Sequence, residues 1–163
     1  DHRDLHSFPT RRSSDLQLGH AKPLTGEKEL DAKNLIQRFY EIDLDGVCMF
    51  QSKCVTVFGT KYVCGDNNYL FLGLDEHGLP EFGKVINIWY VLQMTNPFFV
   101  TKVIQSEEFC NRLGAYKLCN SDMAQGNQVT LHSDLYQHQV FHANNINGRY
   151  YIAMKENILA AAT

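Results

Sequence analysis

The chain has no excess of positive charge: 15 Lys and Arg stand against 18 Asp and Glu, a formal net charge of −3. Affinity for a phosphate backbone comes mainly from clustered Lys and Arg, so nucleic acid is disfavoured as a partner of this chain alone. A basic stripe from Lys53, Lys61, Lys84 and Lys102 on one surface would reopen that reading. Long apolar runs are missing too. The most apolar stretch, residues 85–92, is interrupted by Asn87 and falls well short of the ~18 residues a spanning helix needs; no membrane partner is expected. The 5 cysteines (Cys48, Cys54, Cys64, Cys110, Cys119) are odd in number and form no C-x-x-C pair. That argues against both a disulfide scaffold and a zinc knuckle, and favours free, mostly buried thiols in an intracellular, reducing compartment.

Catalytic motifs are equally scarce. The chain has no G-x-S-x-G elbow, no phosphate-binding loop and no H-E-x-x-H helix. The acidic pairs Glu107-Glu108 and Asp43/Asp45 read as solvated turn residues. His132, His138 and His142 are the nearest approach to a metal set. On one strand, His138 and His142 would stand about 13 Å apart at the usual rise, too far to share an ion, so they read as partly exposed strand histidines. No catalytic residue, metal or cofactor is expected.

What is present suits folding. Hydrophobic residues make up 44% of the chain and aromatics 12%, a composition that argues against disorder. Residues 27–40 carry the helical pattern. Leu35/Phe39 and Ile36/Tyr40 are i,i+4 pairs and Leu30 lies near the same stripe, with Thr25 as cap and Glu27 and Glu29 in the first turn. From Val47 the period becomes two. Short strands are expected at 47–50, 54–58, 62–64 and 69–72, with a tight turn at Gly59-Thr60.

The clearest hairpin joins 82–93 to 98–105 through Met94-Thr95-Asn96-Pro97. Strict alternation would put Val85, Asn87, Trp89 and Val91 on one face and Ile86, Ile88, Tyr90 and Leu92 on the other, a strand covered on both sides. Further strands follow at 113–119 and 129–132. A second hairpin joins 135–141 to 149–154, and Ile158 and Leu159 close the domain. The fold class expected is mainly β, a small barrel or sandwich of short antiparallel strands with one N-terminal helix; the resemblance given below implies an SH3-like or related barrel.

Residues 1–16 (DHRDLHSFPTRRSSDL) resemble a translated sequencing-library adapter and are expected to be non-native, the natural N-terminus having been replaced. Residues 17–26 are then an irregular approach, 27–159 a single domain, and 160–163 a frayed tail. Tyr62, Cys64-Gly65-Asp66, Pro80 through Ile88, Gly114-Ala115-Tyr116 and the closing stretch from Ser133 to Ile158 resemble a β-rich segment of uncharacterised, often transposon-associated animal proteins. The order of a strand, a Gly-Asp turn and a Phe-Gly-Lys-Val-Ile strand also resembles bromo-adjacent homology and other SH3-like barrels.

That second resemblance implies a non-catalytic binding or structural module that recognises protein or peptide, in a chromatin setting among others, within a larger protein. The alternative is an accessory β-domain of a transposon-encoded or viral enzyme whose catalytic part lies elsewhere. The aromatics supply the candidate contact patch: Tyr62, Tyr69 and Tyr116, expected to be exposed, with Trp89 assigned to the core and the Tyr150-Tyr151 pair split between two faces.

Overall fold

A computed structural model describes residues 15–65, 67–120 and 126–154. The expected closing residues Ile158 and Leu159, the tail and all of residues 1–14 lie outside that set. Among the described residues, twelve strands and one regular helix follow in chain order. Strand β1 (Leu16–Gly19) and the short β2 (Lys22–Pro23) come first, then helix α1 (Gly26–Gln37). They are followed by β3 (Met49–Ser52), β4 (Cys54–Val57), β5 (Thr60–Val63), β6 (Tyr69–Leu74), β7 (Pro80–Val91) and β8 (Phe98–Cys110). The last are β9 (Ala115–Leu118), β10 (Asn127–Leu131), β11 (Ala143–Ile146) and β12 (Arg149–Ala153). The fold is mainly β, an antiparallel sheet curled into a half-barrel.

Two long strands organise it. β7 and β8 pair with each other, and each borders different neighbours along its length. β6 lies beside the first half of β7 and β3 beside the second. β10 borders the start of β8 and β9 its end. The large sheet runs β11-β12-β9-β8-β7-β3-β2, and β1, β4 and β5 form a separate three-stranded sheet. That small sheet packs Leu16, Leu18, Val55, Val57 and Tyr62 against Val85, Ile88, Tyr90 and Phe99 of the large one. The irregular approach expected over 17–26 is corrected: Leu16 and Leu18 are buried and pair with Val57 and Val55, because their alternate side chains complete this inner face.

The opposite face of β7 and β8 holds two further clusters. Ala32 and Ile36 of α1, with Leu44, cover Met49, Trp89, Val91, Phe98 and Val100 at one end. Tyr69, Phe71, Phe82, Ile104, Tyr116, Leu118 and Ile152 pack together at the other. A strand covered on both sides is what the apolar run predicted, but its partition differs. Val85 pairs with Thr101 and Asn87 with Val100, so Ile86 is an extra residue, a β-bulge. The bulge resets the alternation: Val85 joins Ile88 and Tyr90, while Ile86 packs with Trp89 and Val91.

Other boundaries shift for local reasons. α1 ends at Gln37, so Phe39 is off the helix and exposed, as is Leu30; the buried stripe is Ala32 and Ile36. Tyr40 instead ties the helix exit to the sheet: its hydroxyl donates to Asp134 Oδ2 at 2.7 Å and accepts the Leu131 N–H at 2.8 Å. The second hairpin's first arm is 143–146 rather than 135–141, with its turn at Asn147-Gly148, both at positive φ. Within 135–141 only Phe141 bridges, to Tyr69. Glu107-Glu108 belong to β8 rather than to a turn, Glu107 being the extra residue of a second bulge.

Candidate functional site: a donor-lined cleft on the concave face

Along one face of β7 the side chains run Phe82, Lys84, Ile86, Asn87, Trp89, Val91, and along the same face of β8 Phe98, Val100, Lys102, Ile104. Lys84 and Lys102 are register partners across the two strands. They lie between the apolar cluster under α1 and the apolar cluster that includes Ala143 of β11 and Ile152 of β12. The surface stays open at that position. A cleft of about 940 Å³ lies there, floored by Lys84, Ile86, Lys102, Ile104 and Leu118 and walled by Tyr69 and Tyr150. That size is within the range of ligand sites.

The lining is rich in hydrogen-bond donors. Neither lysine has an ion-pair partner among the described residues, although like charges facing across a strand pair cost stability. Arg149 sits at the edge, its guanidinium donating to Glu107 and, at 3.1 Å, to the Leu118 carbonyl, with further N–H groups unspent. Asn67 and Asn145 also line the cleft, and their carbonyl oxygens already accept the Ala143 and Gly148 N–H groups at 2.5 and 3.0 Å. What remains on each amide is its NH2. Burial, with Tyr150 adding, pushes the Tyr69 phenol above its ordinary range, so it stays a hydroxyl donor at neutral pH. Among the described lining residues there is no Asp or Glu.

Cys119 is in the lining as well. Burial first, then Glu107, raises its thiol above the ordinary range, against a smaller opposing effect of Arg149. A protonated thiol is a poor nucleophile, and among the described lining residues there is no histidine to act as its base. The arrangement suits holding an acceptor-rich group better than attacking one.

The expected contact residues are placed differently. Tyr62 and Tyr116 are buried, Tyr62 completely, and Tyr69 is exposed only to 6%. They are core aromatics, Tyr62 packed on Phe99 at 4.7 Å and Tyr116 on Phe109 at 4.9 Å. Burial drives the Tyr62 phenol up to about 12. The three do not form one exposed patch, and Tyr69 alone reaches the cleft wall. Trp89 is buried as expected, its Nε1 donating to Gln51 Oε1 at 3.3 Å. Tyr150 is the exposed member of its pair and faces the cleft.

Lys53 and Lys61 lie exposed around β4 and β5 and do not line the cleft with Lys84 and Lys102, so the four make no common lining. The cysteines are unbonded, but the expectation of mostly buried thiols is corrected: Cys48 is exposed and the others half-buried. They stand at strand ends, where coverage is incomplete. Among the described residues no group of three or more His, Cys, Asp and Glu side chains could hold a metal.

His132 differs from a partly exposed strand histidine. It opens a short 3-10 turn, is buried, and stacks on His138 at 4.3 Å with Tyr62 edge-on at 5.6 Å. Its Nδ1 lies 3.3 Å from Asn96 Oδ1, which makes Nδ1 the protonated nitrogen of the neutral ring. Nε2 and the Tyr62 hydroxyl are buried without a partner among the described residues. The sequence missed both this turn and the cleft. A readable signal for the cleft was present: Lys84 and Lys102 stand two residues along their strands from the buried Phe82 and Ile104.

No helix among the described residues is long and apolar enough to cross a membrane. No protein-family model, curated protein or solved structure matches the chain.

Proposed function

We propose that the protein is a non-catalytic binding module that recognises a protein or peptide, and that the concave cleft, rather than a patch of Tyr62, Tyr69 and Tyr116, is its contact surface. One observation carries the reading. Two lysines face each other in the lining of an open cleft, next along their strands to the buried register pair Phe82 and Ile104. Such a pair works against the stability of the free protein, a pattern expected where function rather than packing selects a residue. Apolar and aromatic walls beside a few directed polar groups are the general chemistry of recognition sites. A curled antiparallel sheet is the feature that supports a likeness to SH3-like barrels, whose usual role is recognition, though a fold alone implies no function.

Panning a displayed random-peptide library against the protein tests this. Enriched peptides are expected to lose binding to Ile104→Glu and to Lys84→Glu/Lys102→Glu while retaining it for Phe58→Ser. Peptides unaffected by the cleft variants, or no enrichment at all, would count against the cleft as the contact surface.

A further inference from the structure

The cleft's chemistry also specifies its occupant. Resting on the binding role just proposed, we infer that the Lys84–Lys102 pair is an oxyanion seat for the carboxylates of an acidic peptide segment that also carries apolar or aromatic side chains. The lining has unspent donors in abundance: two ammonium groups, part of the Arg149 guanidinium, the amide NH2 groups of Asn67 and Asn145, and the Tyr69 hydroxyl. A ligand must therefore bring acceptors, and negatively charged ones gain most, because charge-assisted hydrogen bonds are the strong ones.

The walls narrow the class further. Ile86 and the exposed Tyr150 ring, with Ile104 and Leu118 buried beneath them, present apolar surface that a bare inorganic anion leaves uncovered, whereas an amphiphilic peptide covers it. A nucleic-acid strand fits less well. Binding along its backbone needs a row of cations, and Lys53 and Lys61 lie outside the lining in a chain of net charge −3. The seat holds one or two carboxylates.

Calorimetric titration of the intact chain decides it, using three probes: a short peptide alternating glutamate and phenylalanine, the same peptide with glutamine for glutamate, and inorganic phosphate. The glutamate peptide is expected to bind about tenfold more tightly than the glutamine one, or better, and to lose that margin against Lys84→Met/Lys102→Met. Lys84→Arg/Lys102→Arg retains it. The methionine double variant, relieved of facing charges, melts about 2 °C higher than the parent without ligand. Equal binding of both peptides overturns the oxyanion seat and leaves the cleft as a contact surface. Phosphate binding as tight as the glutamate peptide's overturns the peptide as occupant. Binding of neither peptide overturns the seat and removes support from the cleft together. A methionine variant that melts lower with unchanged peptide affinity makes the lysines packing residues and overturns the seat.

Discussion

At the scale of single residues, His132 has the sharpest consequence. Burial, with His138 adding to it, holds its imidazole down at about 4 against an ordinary 6.5. Between those values the unfolded chain binds the proton and the folded chain does not, so stability rises with pH across that window and falls on acidification. The loss at pH 5 relative to neutral pH is about 2 kcal/mol. Urea unfolding of the parent and of His132→Gln at both pH values checks it. The parent's stability relative to the variant is expected to fall by about that amount at pH 5; a difference independent of pH would show that His132 titrates normally.

The same scale shows where reading from sequence stopped. Composition identified aromatics in number, and nothing in the spacing of Tyr62, Tyr69 and Tyr116 says which way each faces. Orientation follows from pairing partners distant in the chain. Trp89 was legible because it sits mid-strand in a continuous apolar run.

At the scale of elements, turn chemistry was legible and exact position was not. The β4–β5 turn was expected at Gly59-Thr60; it is Phe58-Gly59, with φ of 47° and 85°, the geometry of a type I′ turn. A bulky residue in the left-handed region costs about 1 kcal/mol, and Phe58 is 71% exposed, so its ring recovers little by packing. Phe58→Asn is expected to raise stability by about 1 kcal/mol, read as a higher urea midpoint. A lower midpoint would mean the ring makes a stabilising contact.

The β7–β8 hairpin was read nearly in full, because both arms are long and apolar and the joining loop carries Asn96-Pro97. Its bulge was not. An extra residue leaves no mark on composition, yet Ile86 decides which side chains share a face. The helix follows two short strands instead of opening the fold, and it was given too many residues, since the i,i+4 pairs at Phe39 and Tyr40 continue past the point where the backbone leaves the helix.

At the scale of the molecule, the mainly antiparallel class followed from many short period-two runs separated by turn residues. The cleft did not, because it is made by curvature. Two bulges, at Ile86 and Glu107, bend the long strands, and bulges increase local twist. α1 covers one end of the concave face and the β11–β12 hairpin borders the other. Lys84 and Lys102 lie between them, in a cleft that the hairpin's Asn145, Arg149 and Tyr150 help to line. The sequence signature of the two lysines, a charge between apolar residues of a central strand, was noticed only as part of a wider basic stripe.

The account rests on that concave face being where partners bind. A backbone-amide chemical-shift map of the protein, saturated with a peptide selected by panning, tests this most directly. The largest shifts are expected at residues 84–86, 102–104, 118–119 and 149–150. Shifts concentrated instead on α1, on the Phe58 turn or around Tyr136, with those residues unmoved, would contradict it.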